Sequence, residues 1–182
     1  KDQVEGIREL VESEGLPLLE SAPMVTMRLE SVRGVPVGEL REAGKIPGWV
    51  VRREYRSTYR NSLNETETTL AGEWPPEKTG SPVPVSVEED MAGDMGVGLG
   101  DTFTMNVQGI PIEARVTHLR MVDWSRFNLN FFMVFPEGVL ENAPGFFVAT
   151  TRIPEGESSG SLQRELATDF PNVSAIDLSL LL

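Results

Sequence analysis

Apolar residues at helical spacing open the chain. Between residues 4 and 11 they fall on one face, Asp2 is placed to cap the start, and Gly15 is placed to end the helix. Residues 24–32 then carry β-branched and apolar side chains in imperfect alternation, which predicts a strand. The chain is therefore predicted to begin with a short amphipathic helix followed by a strand.

The other end shows the same order of elements. Ser161 is predicted to cap a helix whose apolar face carries Leu162, Leu166 and Phe170. Residues 173–178 are predicted to form a strand after it. Short helices next to strands at both ends indicate an α/β layer to which both termini contribute.

The clearest strand pattern is a hairpin in the middle of the chain. Residues 103–107 and 112–116 alternate between apolar and polar side chains, and Gln108-Gly109 forms the turn between them. A capping box that begins at Ser86 predicts a short helix before the hairpin, and Gly96 is placed to end that helix.

Three further segments are predicted strands, and a long loop separates the first from the rest. Residues 49–55 are strand-like, whereas residues 61–80 are polar and contain proline and glycine. Residues 129–135 and 145–153 are almost continuously apolar, which predicts two buried strands.

These elements predict an α+β fold in two parts. Residues 1–35 and 160–182 form a mixed α/β subdomain, and residues 36–159 form a β-rich subdomain inserted into it. The sequence starts at Lys1 without a methionine and finishes in an apolar stretch at 178–182. We therefore expect it to be a piece of a longer polypeptide.

Composition and charge remove several functional classes. The 182 residues are 40% hydrophobic and 24% charged, which is typical of a globular domain. Without cysteine the chain has no zinc–thiolate site, iron–sulfur cluster or thiol nucleophile. The net charge of −12 repels phosphate backbones, so nucleic acid is excluded as a partner.

The charge is distributed unevenly along the chain. Residues 48–60 hold four arginines against one glutamate, whereas residues 61–101 hold one lysine against nine acidic residues. Either the two segments pair with each other, or they face a partner. A second group of interface-type residues follows at positions 124–127. The candidate interaction surface consists of Arg52, Arg53, Arg56, Trp124, Arg126 and Phe127.

No catalytic, cofactor-binding or metal-ligating set is predicted. The only histidine, His118, continues the apolar parity of its strand and is predicted to be a hydrogen-bonded packing residue. The G-x-S-x-G match at residues 156–160 has no later histidine to activate its serine. Glu89, Asp90 and Asp94 suit a helix start and a solvated face, although a carboxylate-dependent hydrolase would use them as its acid and base.

Seven segments together resemble the large extracytoplasmic domain of FtsX/MacB-like ABC transporter permeases, in the YbbP-like branch. The segments are WVVRREYRSTY at 49–59, VSVEEDM at 85–91, GDTF at 100–103, VQGIPI at 107–112, VDW at 122–124, NFFMVFP at 130–136 and PNVSAID at 171–177. They occur in the same order and extend over essentially the whole chain. Each motif concerns the fold rather than catalysis.

The resemblance implies a MacB-periplasmic-core-like fold, with a porter-like subdomain formed by the termini and an inserted Sabre-like subdomain. It also implies a periplasmic domain of a bacterial inner membrane protein, tethered between transmembrane helices of the same polypeptide. Such a domain is not an enzyme and binds no cofactor, because ATP is used by a separate cytoplasmic ABC ATPase subunit.

The resemblance further implies a role in export and a set of partners. The domain would transmit ATPase-driven motion and contact a lipid, lipoprotein or other hydrophobic compound, with a periplasmic lipolytic, thioesterase or lipoprotein partner. One alternative is a free periplasmic binding or chaperone-like protein for apolar ligands. That alternative would use Phe131, Phe132, Phe135, Phe146 and Phe147, although such runs more often form buried strands.

Overall fold

The computed structural model describes residues 2–178, apart from the side chain of Asp2. The described helices are α1 (Asp2–Ser13), α2 (Val37–Glu42), α3 (Gly48–Arg52), α4 (Glu89–Met95) and α5 (Gly160–Asp169). The described strands are β1 (Leu18–Val32), β2 (Val35–Pro36), β3 (Tyr55–Tyr59), β4 (Glu67–Gly72), β5 (Val83–Glu88), β6 (Thr102–Val107), β7 (Ile110–Val122), β8 (Met133–Phe135) and β9 (Phe146–Thr151). The α+β class is therefore confirmed, while the predicted cap at Asp2 and most of the apolar stretch at 178–182 lie outside the described residues.

The chain divides into two compact units. A terminal unit combines the residues up to Ser21 with those from Phe147 onward, and a central unit comprises Ala22–Phe146. The predicted subdomains have different boundaries, at 35/36 and 159/160, and their assignment as porter-like and Sabre-like parts stays a prediction. The central unit begins earlier in the chain because β1 pairs with β3 from Val25 onward.

The central unit is built on a mixed sheet. Its strand order is β2-β1-β3-β8-β5-β7-β4, and β6 pairs with both β1 and β7. Strand β3 runs parallel to β8, and β5 runs parallel to β7. All other neighbouring strands in this order are antiparallel. Helices α2, α3 and α4 contribute Leu40, Val50 and Met91 to the same apolar core as the strands.

The hairpin prediction is confirmed. Strands β6 and β7 pair in register up to Val107 and Ile110, and they leave Gln108 and Gly109 as a two-residue turn. Both turn residues have positive φ angles, 52° and 97°, as a turn with the twist of the flanking strands requires. In β6 the inward residues, such as Phe103, are buried while the intervening ones are half-buried.

The predicted cap residue of α4 is wrong, whereas the predicted end of the helix at Gly96 is correct. Ser86 lies in β5, and the cap is Glu88, whose Oε2 accepts a hydrogen bond from the Met91 backbone N–H at 2.9 Å. Glu88 can do this because the strand runs directly into the helix, so its carboxylate meets the first free amides. Gly96 ends the helix in the left-handed conformation, with φ at 67°.

Residues 49–55 are not one strand. Gly48–Arg52 form α3, and β3 begins only at Tyr55. Pro47 supplies an extended N-cap, and the Tyr55 hydroxyl donates to the Val50 carbonyl at 2.7 Å, which fixes the helix against the strand. A short apolar run has no periodicity that distinguishes the two states, and here packing of the fully buried Val50 decides.

Other strand predictions are correct in part. The loop predicted at 61–80 contains β4, and the run at 129–135 is a strand only over Met133–Phe135. The strand predicted at 145–153 exists as β9, but it is not buried, since Phe146 and Phe147 are exposed. Within the described part of 173–178 there is no strand.

The terminal unit has a small core of its own. Helices α1 and α5 bury Val11, Leu162 and Leu166 together with Leu16. The cap residue of α5 is Ser159 rather than Ser161, which lies inside the helix. β9 pairs with β1, whose first residues belong to this unit.

Candidate functional site

An open cavity in the central unit brings together basic and aromatic side chains. Its volume is about 440 Å³, and we call it the arginine–tryptophan pocket. Its lining residues are Met24, Arg53, Glu54, Arg56, Trp124, Asn130, Phe131 and Phe132. No single segment of the sequence forms it, because the lining comes from four separate stretches of the chain.

Strand pairing brings two of these stretches together. Arg53 follows α3 directly, and Arg56 is an exposed position of β3 that pairs with Thr26 of β1. β3 also runs parallel to β8, with Thr58 opposite Val134. The residues just before β8, including Phe132, therefore lie beside the start of β3.

A hydrogen-bonded turn presents Trp124, another of the four stretches. The Asp123 carboxylate accepts hydrogen bonds from the backbone N–H of Ser125 at 3.1 Å and from its hydroxyl at 2.5 Å. These bonds, with a smaller contribution from Arg126 at 3.4 Å, hold the pKa of Asp123 below its usual range. The Asx-type turn fixes the backbone around Trp124, whose side chain is 48% exposed.

Aromatic rings hold the Arg53 guanidinium. Its central carbon lies 4.7 Å from the ring centroid of Phe132 and 5.8 Å from that of Trp49. The rings of Phe132 and Trp124 are 5.1 Å apart and inclined at 48°. These separations are those of favourable cation–π and aromatic contacts, so the three side chains of the pocket support one another.

The pocket is cationic although the chain is acidic. Glu54 forms an ion pair with Arg28 at 2.6 Å, which neutralises the acidic residue of the lining. In the part of the chain that the structure describes, no carboxylate lies within ion-pair distance of Arg53 or Arg56. Two unpaired guanidinium groups therefore face the cavity in a chain with a net charge of −12.

A buried ionic network anchors the aromatic wall. Arg120 of β7 is fully buried, and its Nε donates to Glu67 Oε1 at 3.0 Å. Its Nη1 donates to the Ser86 carbonyl at 2.9 Å, and its Nη2 donates to the carbonyl of Phe131. Burial lowers the pKa of Arg120 and the Glu67 carboxylate opposes that shift, so the guanidinium stays charged. The backbone that carries the pocket's phenylalanines is thereby fixed from inside.

The Glu67 carboxylate also forms an ion pair with a second arginine. Glu67 Oε1 lies 2.6 Å from Arg60 Nη2, and Glu67 Oε2 accepts a hydrogen bond from the Asn64 backbone at 3.0 Å. Internal pairing of the basic and acidic segments thus occurs at Arg60. It does not extend to Arg53 and Arg56, which have no ion pair among the described residues.

His118 is a buried packing residue, as the sequence predicts. Its Nδ1 lies 2.7 Å from the Ser86 hydroxyl, and its Nε2 lies 2.9 Å from the Thr69 hydroxyl. Its ring is 6.0 Å from that of Trp74. Burial, helped by the nearby positive charge of Arg120, lowers the pKa of His118, so the ring is neutral at pH 7.

We expect this histidine to make the fold less stable in mild acid. The unfolded chain takes up its proton near pH 6.5, whereas the folded chain does so only at lower pH. In that window the unfolded state binds more protons, so the free energy of unfolding falls as the pH falls. Urea unfolding between about pH 7.5 and pH 5.5 should show a smaller loss for His118→Gln than for the unmodified chain. An equal loss in both proteins would contradict the assignment.

The residues of the candidate interaction surface do not all lie together. Arg53, Arg56 and Trp124 line the arginine–tryptophan pocket, whereas Arg52, Arg126 and Phe127 do not. Arg126 pairs with Asp123, and Phe127 is 78% exposed. An interaction role for all six residues stays a prediction.

Several lining residues have no signature in the sequence that predicts a site. Met24 and Asn130 carry no signal of their own, and Phe131 and Phe132 were assigned to a buried strand. Phe131 is indeed buried, but Phe132 is half-buried and faces the cavity. The available signal was its position just before a strand and close to a loop that contains Trp124.

The acidic residues considered for hydrolysis are not gathered in the pocket. Glu89 and Asp90 are exposed, Asp94 is half-buried, and none of them lines the cavity. Among residues 2–178 no three histidine, aspartate or glutamate side chains are grouped to hold a metal ion. In the same residues no helix is both long enough and apolar enough to cross a membrane.

Comparison with known proteins supports the resemblance found in the sequence. No family model matches the chain. Over 161 residues, 88% of this chain, it is 32% identical to the uncharacterized ABC transporter permease YbbP of Escherichia coli K12. The match spans only 18% of the length of YbbP. The predicted similarity to an ABC transporter permease is thus confirmed for a region of that protein.

A solved domain is also similar. It comes from a proposed permease of Porphyromonas gingivalis, with 12% sequence identity over 93% of this chain and 77% of that one. The TM-score is 0.38, and at that score the likeness carries no argument about the fold.

Proposed function

We propose that this chain, being similar over most of its length to a region of an ABC transporter permease, is an extracytoplasmic domain of such a permease. In this proposal it transmits ATPase-driven motion and contacts a substrate or partner protein. The observation that carries the contact role is the arginine–tryptophan pocket, where Arg53, Arg56 and Trp124 converge. Exposed tryptophan and arginine are the side chains that most often dominate binding energy at interfaces.

The finer assignments belong to the same proposal. The domain has a MacB-periplasmic-core-like fold, lies in the periplasm and is tethered by transmembrane helices of the same polypeptide. A cytoplasmic ABC ATPase uses the ATP, and this domain neither binds a cofactor nor catalyses a reaction. The exported compound is a lipid, lipoprotein or other hydrophobic molecule, handed to a periplasmic lipolytic, thioesterase or lipoprotein partner.

The internal structure of the central unit supports a mechanical role. A domain that passes on a displacement must not deform where it is loaded. Here the sheet is cross-linked through Arg120 and Glu67, which join β7, β4 and the segment before β8 by side-chain hydrogen bonds. Buried, hydrogen-bonded networks of this kind resist rearrangement.

We expect the domain to be reachable from outside the cell and to move during the ATPase cycle. Thr79 is exposed in the central unit, and the 182-residue sequence has no cysteine. In the full permease, Thr79→Cys therefore gives a single labelling site once cysteines outside this sequence are removed. A membrane-impermeant maleimide should label it in intact cells. In nanodiscs, energy transfer from this label to acceptor lipids should differ between nucleotide-free and vanadate-trapped transporter.

A transporter with a catalytically inactive ATPase is the control for the motion, and its energy transfer should not respond to ATP with vanadate. Labelling only after cell lysis would contradict the extracytoplasmic location. Unchanged energy transfer in the active transporter would contradict the transmission of motion.

A further inference from the structure

The arginine–tryptophan pocket offers two charged hydrogen-bond donor groups. Arg53 and Arg56 contribute guanidinium groups, which only donate. The Asn130 side-chain amide is already in contact with the Thr66 hydroxyl at 2.7 Å. The Glu54 carboxylate is already engaged in an ion pair. An occupant must therefore bring acceptors and negative charge.

One of the guanidinium groups is held ready for a carboxylate. The Arg53 guanidinium carbon lies over the Phe132 ring at 4.7 Å, a cation–π contact that restrains the side chain, and no carboxylate among the described residues pairs with its N–H edge. A carboxylate can accept two parallel hydrogen bonds from such an edge. Because the side chain is already ordered, less conformational entropy is lost on binding.

The exposed apolar surface of the pocket comes mainly from two aromatic side chains. Trp124 is 48% exposed and Phe132 is half-buried, whereas Phe131 is only 3% exposed and offers little surface. The volume of about 440 Å³ is near the lower end of ligand sites, which run from about 300 to 1,000 Å³. This space can hold one large side chain between charged neighbours.

The overall charge restricts how an anion can approach. The net charge of −12 repels any extended anionic surface, such as a bilayer rich in acidic lipids or a nucleic acid. A short acidic segment can still reach Arg53 and Arg56, because their attraction acts within a few ångströms and neither has an ion pair among the described residues.

We propose that the arginine–tryptophan pocket binds an acidic segment of a partner polypeptide. A glutamate or aspartate of that segment pairs with Arg53 and Arg56, and a neighbouring aromatic or large aliphatic side chain packs on Trp124 and Phe132. This inference rests on the proposed function, since it names the kind of partner that the same surface contacts.

A binding measurement on the 182-residue chain tests the inference. The probe is a fluorescein-labelled peptide, Gly-Ser-Glu-Phe-Glu-Ser-Gly, followed by fluorescence anisotropy, and the matched peptide replaces both glutamates by glutamine. The glutamate peptide should bind at least about tenfold more tightly. Arg53→Glu combined with Arg56→Glu should weaken its binding at least about tenfold, and Trp124→Ala about fivefold.

The control variant combines Arg41→Glu with Lys45→Glu. Both residues are exposed in the central unit and outside the pocket, so the net charge changes equally. It should alter peptide affinity less than about twofold, with long-range repulsion screened at about 0.15 M salt. All variants should keep the circular dichroism spectrum and thermal midpoint of the unmodified chain, since the replaced side chains lie at the surface.

Several results would overturn the inference. Equal binding of the glutamine peptide, or an equal loss in the control variant, would remove the acidic segment as the occupant. Full competition by an equal concentration of inorganic phosphate would show a simple anion site. Binding to phosphatidylglycerol vesicles that depends on Arg53 and Arg56 would show a membrane contact instead. If the peptide fails to bind while the Thr79 label shows motion, only this inference is contradicted. If the peptide binds while the label shows neither the extracytoplasmic location nor the motion, only the proposed function is contradicted.

Discussion

Replacement of Arg120 by methionine is expected to lower the free energy of unfolding by about 3–5 kcal/mol, because it breaks a buried ion pair on one side only. The side chain is 0% exposed, and Glu67, its partner, has a side chain that is also fully buried. Methionine fills part of the space but supplies no donor. The carbonyls of Ser86 and Phe131 then lose their hydrogen bonds as well.

Urea unfolding measures the effect, and the same strand supplies a control. Arg115 of β7 is exposed, and among residues 2–178 its side chain donates only to the Gly100 carbonyl, so Arg115→Met should lower the free energy of unfolding by less than about 0.5 kcal/mol. A double variant that also carries Glu67→Gln should lose less than the sum of the two single losses, since the partners interact directly. A loss below about 1 kcal/mol for Arg120→Met would contradict the role given to the network.

Replacement of Gly72 by alanine is expected to lower the free energy of unfolding by about 3 kcal/mol, the second largest effect among our predictions. A Cβ atom there would lie 2.1 Å from the Thr117 carbonyl oxygen, a backbone atom that cannot rotate away. The residue also has φ at 79°, where an L-residue is strained by about 1–2 kcal/mol. Because Gly72 pairs with His118, relief of the clash requires β4 to separate locally from β7.

Gly80 is the matched control for this change. It has no positive φ, and a Cβ atom there would meet nothing within 4 Å, so Gly80→Ala should be nearly neutral. Hydrogen exchange should show lost protection of the β4 and β7 amides in Gly72→Ala, together with a lower urea midpoint. Unchanged exchange and midpoint would mean that the strands accommodate the side chain, contrary to our expectation.

Local signals in the sequence were sufficient for elements that depend on neighbouring residues. The β6–β7 hairpin follows from strict alternation around Gln108-Gly109, and the end of α4 follows from Gly96. The Trp49-Val50-Val51 run was misread because a helix and a strand of that length carry the same apolar pattern. Its outcome depends on the hydrogen bond from Tyr55 and on burial, neither of which a pattern records.

The pocket was foreseeable only in its chemistry. Arginine excess and exposed-type aromatic residues identify Arg53, Arg56 and Trp124, but their convergence depends on the parallel pairing of β3 with β8. Register between strands so far apart along the chain has no local signature. For the same reason no local pattern indicates that Arg120 and Glu67 meet, because the two residues are 53 positions apart in the chain.

The placement of the tryptophans gives the molecule an intrinsic optical reporter. Two of the three in the sequence, Trp49 and Trp124, contact the stacked pair of Arg53 and Phe132, and the third, Trp74, packs with Phe131 and Val134. Ultraviolet emission from this chain is therefore weighted toward one surface. A change of solvent around these indoles can be read in the unlabelled protein, from the colour of its own fluorescence.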